Sequence, residues 1–245
     1  MQFTDFSKLD LSRLPSPCFV VDEVAVERNL AILKEIADAS GAKVIAALKA
    51  FSMWHLAPLT SRYLSGTCAS GLHEARLGYE EYGGEVHVFS AAYSEDDFKE
   101  LLTFADHIVF NSQSQWLRFQ PLIKAALKER HIAFGLRINP EHSEGAVPIY
   151  DPCAPGSRLG IPLSQLDESL LEEISGLHFH TLCEQGFEPL SRTLDAVEAK
   201  FGHLLVQMEW VNFGGDTTLP QMTMIERVWL SELKPFQRSI RFKCI

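Results

Sequence analysis

Short apolar segments alternate with longer segments of helical periodicity along almost the whole chain. A short apolar run between turn residues is typical of a strand, whereas apolar residues three and four positions apart are typical of a helix. The pattern predicts strands at residues 18–22, 43–48, 65–69, 86–90, 107–110, 132–138, 176–180 and 209–213. It predicts helices at residues 24–39, 71–82, 96–104, 114–129, 166–174 and 189–201.

Strands that alternate with helices connect by right-handed crossovers and form a parallel sheet, so we expect an α/β fold. The seven strands predicted after residue 40 are one short of the eight in a TIM-type (β/α) barrel. The pattern therefore predicts an incomplete barrel.

Polar side chains stand at the predicted carboxyl ends of these strands. They are Lys49, Ser70, Ser90, Asn111, Arg137, Asn139, His178, His180 and Asn212. Any one of them has the alternative role of a turn or cap residue. Because the carboxyl ends of parallel barrel strands meet at one mouth, the series favours a functional site there.

Lys49 ends the apolar run of residues 43–48. A lysine at this edge, partly withdrawn from water, can form a Schiff base with an aldehyde. The alternative is a lysine that only ends a strand in solvent, since surface lysines are common.

Composition limits the classes of function. The 245 residues are 46% hydrophobic, and no apolar run approaches the roughly 20 residues of a membrane span. No leader pattern opens the chain, so we expect a cytoplasmic protein without a membrane partner. Five cysteines without a C-x-x-C pair argue against a disulfide framework and against a structural zinc site.

The net charge of −10 makes nucleic acid an unexpected partner and favours a cationic, polyamine-like substrate.

Six segments together carry a resemblance to a known family. They lie at residues 14–20, 47–52, 68–71, 157–160, 176–185 and 210–215. The chain resembles the carboxynorspermidine/carboxyspermidine decarboxylases, which belong to the alanine-racemase-like, fold-type III group of pyridoxal 5'-phosphate (PLP) decarboxylases. The string H-F-H-T-L-C-E-Q at residues 178–185 distinguishes it from the ornithine and diaminopimelate decarboxylases.

The resemblance implies roles for particular residues. Lys49 matches the lysine that holds PLP, and His180 matches the imidazole that stacks on its pyridine ring. Gly214 and Gly215 match the start of a turn whose N–H groups hold the phosphate, because only glycine lets the main chain approach so closely. Without the resemblance, His180 would be an ordinary strand-end histidine and the glycine pair an ordinary turn.

Three further residues match less specifically. Cys183 falls near the position where relatives have a phosphate-binding serine. Arg137 and Arg158 match basic residues beside the cofactor or at the subunit interface, and a structural ion pair is the alternative for each.

The resemblance implies decarboxylation of carboxynorspermidine or carboxyspermidine to norspermidine or spermidine by a homodimer. The alternative from another functional class is a non-catalytic PLP-binding barrel. A phosphate-binding barrel with another chemistry would leave Lys49 and the H-F-H string as coincidences.

The resemblance ends after Gly215. All 15 glycines precede residue 216, and residues 1–215 carry a charge of −12 whereas residues 216–245 carry +2. Back-translation shifted by one base permits the family's G-G-H-H-I-T over residues 214–220 and forces two aspartates over residues 222–225. We therefore expect a partial barrel at 1–215 and an out-of-frame tail at 216–245 that is helical or irregular.

This interpretation has a functional consequence. The family's eighth strand, β-domain and pyridine-pairing glutamate would be absent, so we expect this chain to be inactive and its dimer to be in doubt. The alternative is a genuine variant with a divergent tail.

Overall fold

The computed structural model describes residues 5–145, 147–214, 216–217 and 243–244. The α-helices are α1 (Glu23–Ser40), α2 (Ala57–Thr60), α3 (Leu72–Leu77), α4 (Glu95–Phe104), α5 (Gln113–Ala126) and α6 (Phe187–Leu205). The strands are β1 (Ile45–Ala47), β2 (Gly66–Ala69), β3 (Glu85–Ser90), β4 (His107–Phe110), β5 (Ala133–Asn139), β6 (Ile161–Pro162), β7 (Gly176–His178), β8 (Cys183–Gln185), β9 (Trp210–Asn212), β10 (Asp216–Thr217) and β11 (Lys243–Cys244). A π-helical turn, Gly78–Tyr82, continues α3.

The main sheet follows the chain order. Its strands lie in the order β1-β2-β3-β4-β5-β7-β9-β11, all parallel, and the short β6 lies off this order and pairs with the carboxyl end of β5. Among the described residues no pairing joins β1 to β11, so the ring of strands is open there. The fold is an incomplete alanine-racemase-like (β/α) barrel, and the seven strands predicted after residue 40 are confirmed.

Local chemistry fixes the helix that precedes β1. The carboxylate of Asp22 accepts a hydrogen bond from the Ala25 amide at 3.0 Å and caps the amino end of α1. Gly41, at φ 77°, ends the helix in the left-handed conformation that favours glycine. The chain is thereby turned into β1 and toward Lys49.

The two faces of the sheet differ in character. The face that packs against the helices is apolar and includes Val86, Ile108, Phe134, Leu177 and Val211, all buried. Burial of one such side chain stabilises the fold by about 1.5–3 kcal/mol. The opposite face lines the barrel interior and carries polar and aromatic side chains.

Two predicted elements are wrong. Residues 18–22 are not a strand. Residues 18–21 are exposed, with Phe19 97% exposed, and no described strand pairs with them. Residues 166–174 are not an α-helix but contain the short 3-10 helix Glu168–Leu170. There the Asp167 side chain accepts from the Ser169 amide at 3.0 Å, a local bond that competes with helix formation.

The tail agrees only in part with its prediction. The described residues 216–217 and 243–244 are strands, so the expectation of a helical or irregular tail is wrong for them. Lys243 and Cys244 pair in parallel with Trp210 and Val211. An open strand edge offers backbone groups to any extended segment, whatever its side-chain pattern. The other tail residues, and Gly215, lie outside the described part of the chain.

Candidate active site

A cavity of about 450 Å³ opens at the carboxyl ends of the parallel strands and continues into the barrel interior. Most of the polar strand-end residues line it, namely Lys49, Ser70, Ser90, Arg137, His178, His180 and Asn212, and Gly214 lines it as well. These residues lie together because the carboxyl ends of the parallel strands converge at one end of the barrel, as expected.

Two strand-end residues have another position. The Asn111 side chain donates to the Arg158 carbonyl at 2.8 Å and accepts from the Gly160 amide at 2.9 Å. The Asn139 side chain accepts from the Glu141 amide at 2.8 Å. These asparagines fasten the loops after β4 and β5, which is the alternative role that their position in the sequence left open.

Lys49 lies in a turn directly after β1. The turn is closed by the Ala50 amide, which donates to the Ala47 carbonyl at 3.0 Å. The lysine side chain is exposed and lines the cavity, so the expected partial withdrawal from water is wrong in this structure. Its amine has no hydrogen bond or ion pair with the residues that the structure describes, and it is therefore available to an incoming group.

Arg137 is the buried cation of the cavity, with 5% of its surface exposed. Its guanidinium carbon lies 4.8 Å from the centre of the Phe89 ring, and Nη2 donates to the His180 carbonyl at 3.0 Å. Burial lowers the pKa of Arg137 to about 10, so the guanidinium is still charged at neutral pH. The positive charge is thus fixed beside the strand end that carries His180.

Gly214 occupies a position that only glycine fits. Its φ is 52°, and an added Cβ would lie 2.5 Å from the Phe179 carbonyl oxygen and 2.8 Å from His180 Nδ1. Its amide donates to Asn212 Oδ1 at 2.8 Å. The N–H that the resemblance assigns to phosphate binding is therefore hydrogen-bonded within the chain here.

Two predicted residues do not line the cavity. Cys183 is exposed at the start of β8, and Arg158 is exposed in the loop before β6. Of the two arginines that the sequence left equivalent, only Arg137 faces the cavity.

The lining is electropositive. It includes Lys49 and Arg137 as well as Lys43, whose charge is balanced by Glu85 outside the lining, and none of the described lining residues is an aspartate or a glutamate. The cavity therefore suits an anion such as a phosphate or a carboxylate.

A second polar cluster, which sequence reasoning missed, lies at the amino ends of β3 and β4. Possible ligand atoms of Glu85, His87 and His107 lie within 4.8 Å of one another. Glu85 is paired with Lys43, and the two imidazole rings are stacked face to face, so their nitrogens do not converge on one point. The signal was present in the sequence, since both histidines stand at inward positions of predicted strands.

Comparisons with known proteins give the same family as the motifs. No family model matches the chain. The carboxyaminopropylagmatine decarboxylase of Synechocystis is 42% identical over 205 residues, which is 84% of this chain and 52% of that protein. The crystal structure of carboxynorspermidine decarboxylase from Campylobacter jejuni, complexed with norspermidine, superposes with a TM-score of 0.83 at 32% identity. The match covers 94% of this chain and 59% of the crystallised one.

A more distant structure shows the fold alone. SrLDC, solved in complex with PLP and cadaverine, has a TM-score of 0.72 at 14% identity, and the match covers 96% of this chain and 61% of that one. No described helix is long and apolar enough to cross a membrane. The chain spans about half the length of the curated relatives that it matches, and over that part it is a homologue of the carboxynorspermidine/carboxyspermidine decarboxylases.

Proposed function

We propose that this chain forms the barrel part of a PLP-dependent carboxy-lyase of polyamine biosynthesis. The observation that carries the proposal is the gathering of Lys49, Arg137, His180 and Gly214 around one cavity, in a homologue of decarboxylases. The proposed reaction of the whole protein is loss of CO2 from a carboxylated polyamine such as carboxynorspermidine or carboxyspermidine.

The described residues fit PLP. Lys49 offers an amine without a described partner, which is what an aldehyde needs. Gly214 lines the cavity in a turn that has no room for a Cβ, and the side chains of Lys49 and Arg137 suit a phosphate dianion. When bound, PLP supplies an electron sink for the carbon that loses CO2.

The roles proposed for the chain's own residues follow from their chemistry. Lys49 would hold the cofactor covalently, and the His180 imidazole would lie beside it in the cavity. Arg137 holds the His180 carbonyl and adds a positive charge beside an anionic group. For Gly215 and Cys183 we propose the phosphate-binding roles that the resemblance implies. For Arg158, which lies outside the cavity, we propose the role at the subunit interface.

The positive charge of the cavity suits one end of the proposed substrate but not the other. Lys49 and Arg137 suit its carboxylate, whereas no described lining residue carries a negative charge for its ammonium groups. We infer that acidic groups from elsewhere in the whole protein bind the cationic arm. The Synechocystis relative is named for a third carboxylated substrate, carboxyaminopropylagmatine.

The remaining proposals concern assembly and the tail. We infer from the resemblance that the whole protein is a homodimer. We also infer that residues 1–215 form the barrel unit and that residues 216–245 are translated out of frame.

Borohydride labelling tests the proposal. The purified chain is mixed with PLP and reduced, and the modified lysine is located by peptide mass spectrometry. We expect the label on Lys49 and its loss in Lys49→Ala, whereas Lys43→Gln, a change at the second lysine of the same cavity, keeps it. A label on Lys43 or on a surface lysine would contradict the site.

Release of CO2 separates the two functional classes. The whole protein in the corrected frame is expected to release CO2 from carboxynorspermidine, and Lys49→Ala to abolish release. Labelling of Lys49 without release from any carboxylated polyamine would favour the non-catalytic PLP-binding barrel.

A further inference from the structure

The side chain of Asn212 joins strands β7 and β9 at their carboxyl ends. His178 and Asn212 face each other in the parallel register. Asn212 Oδ1 lies 2.8 Å from the Gly214 amide and 3.0 Å from His178 Nδ1. The backbone carbonyl of Asn212 accepts from the Phe179 amide at 3.1 Å and lies 3.3 Å from His178 Nδ1. One residue thus contacts both the H-F-H strand and the glycine turn.

These contacts determine where the imidazole proton lies. The Gly214 amide is only a donor, so the Asn212 atom that faces it must be the carboxamide oxygen rather than the nitrogen. That same oxygen and the backbone oxygen of Asn212 face His178 Nδ1, and both are acceptors. The His178 proton must therefore be on Nδ1, which leaves the Nε2 lone pair free to accept.

The surroundings keep the His178 ring neutral. The residue is buried, with the charged Arg137 on β5, His180 two residues after the end of β7 and the Phe89 ring on β3, whose centroid lies 5.3 Å away. Burial, and after it the charges of Arg137 and His180, lower the pKa of His178 to about 3. A single neutral tautomer follows from the geometry and the electrostatics together.

The ring of His178 also abuts the glycine turn. A Cβ added to Gly214 would lie 2.9 Å from His178 Cε1 and 2.8 Å from His180 Nδ1. A tilt of the His178 ring would displace Gly214, and with it the turn that faces the cavity. The interior of a protein is close-packed, so such a shift is not absorbed locally.

We propose that His178 is a positioning residue, fixed by Asn212 as the neutral tautomer with its proton on Nδ1, and that this pair sets the geometry of Gly214 and His180 for cofactor binding. Its role toward the cofactor rests on the proposed function, but its tautomer does not. Neither His178 nor Asn212 touches the reacting atoms in this assignment; each acts through the glycine turn and the strand end.

NMR of the histidine ring nitrogens tests the tautomer in the cofactor-free chain. The His178 signals are assigned by their loss in His178→Gln. His203→Gln, at an exposed position of α6, is the matched control. We expect a protonated Nδ1 and an unprotonated Nε2 that do not titrate between about pH 8 and about pH 5. A proton on Nε2, or titration within that range, would overturn the assignment whether or not PLP binds.

PLP titration of Asn212 variants tests the positioning role. Asn212→Leu removes the shared oxygen, and we expect PLP affinity to fall about tenfold or more, with loss of the fixed His178 tautomer. Asn212→Asp keeps an oxygen at this place, so the tautomer should persist, although the added negative charge also weakens PLP binding. Asn111→Leu is the matched control, because this asparagine also joins two backbone groups but lies away from the cavity.

The outcomes are separable. If Asn212→Leu does not fold in native buffer, the NMR measurement on Asn212→Asp decides whether Asn212 fixes the His178 tautomer. Equal PLP affinity in the wild type, Asn212→Leu and Asn111→Leu would overturn the positioning role. If the wild type binds no PLP, the proposed function and the role toward the cofactor both fail, and the NMR result alone decides the tautomer.

Discussion

The imidazole rings of His87 and His107 lie parallel inside the barrel, with centroids 4.0 Å apart and 5° between their planes. They are register partners on β3 and β4, and the Trp210 indole meets His107 edge-on at 5.2 Å. Burial lowers the pKa of His107 to about 3. The hydrogen bond from His87, opposed by partial burial and aided by Lys43, lowers the pKa of Glu85 to about 2. This cluster therefore requires a neutral His107 and an ionised Glu85.

The first prediction is that stability falls as the pH is lowered from neutral. The folded pKa of His107 lies below the ordinary value of 6.5, so between about 6.5 and 3 the unfolded chain binds more protons. The corresponding stability is fully present above pH 6.5 and is lost as the pH falls toward 3. His178 adds a loss in the same window, and Glu85 adds one as the pH falls from 4.5 toward 2.

Urea unfolding at a series of pH values measures this dependence. His107→Gln should lessen the loss of unfolding free energy between about pH 7 and about pH 5, because one buried imidazole no longer has to stay neutral. His55→Gln, at an exposed position without a hydrogen bond or ion pair to the described residues, should follow the wild type. Equal slopes in His107→Gln and the wild type would contradict the assigned cause.

A second prediction concerns the fit between Gly176 and Trp210. The Trp210 indole lies against Gly176 and Gly135, and a Cβ at either glycine would overlap it. Gly176→Ala should lower the free energy of unfolding by about 1–3 kcal/mol, as overpacking of a core does. Gly186→Ala is the control, because nothing lies within 4 Å of a Cβ there.

The double variant Gly176→Ala with Trp210→Leu decides whether the contact is the cause. If it is, the two changes together destabilise less than the sum of the single changes. Additive effects in urea unfolding would count against the assigned contact.

The sequence predicted most of the barrel but less of the site. The periodicity of residues 43–213 was sufficient for seven strands because each is a short apolar run between turns. Residues 18–22 show the same apolar pattern but lack a neighbouring strand, and pairing cannot be read from one segment. The partner of a polar side chain is likewise set by register, so the bonds of Asn212 and the stack of His87 with His107 became evident only in three dimensions.

A third prediction concerns the reading frame after Gly215. If the tail is out of frame, the gene read from the third base of codon 214 encodes G-G-H-H-I-T followed closely by two aspartates. The composition break supports this, because the tail carries +2 and contains no glycine whereas residues 1–215 carry −12. Sequencing of the source DNA downstream of codon 214 is the measurement. A shifted frame that meets a stop within a few codons would refute the hypothesis.

The last prediction separates two arginines that the sequence left equivalent. Arg137 is buried in the cavity wall and bonded to the His180 carbonyl, whereas Arg158 is exposed outside the cavity. Removal of a charged hydrogen-bonding group near an anion costs about 1.5–3 kcal/mol, so Arg137→Met should weaken PLP binding about tenfold to a hundredfold. Arg158→Met should change PLP affinity less than about twofold. The affinity of Arg137→Lys should fall between those of the two Met variants, because lysine keeps the charge but lacks the planar fork that stacks on Phe89.

Fluorescence titration with PLP measures the affinity of all three variants, and urea unfolding confirms that each variant is folded. An equal loss of PLP affinity in Arg137→Met and Arg158→Met would mean that the cavity wall at β5 does not bind the cofactor.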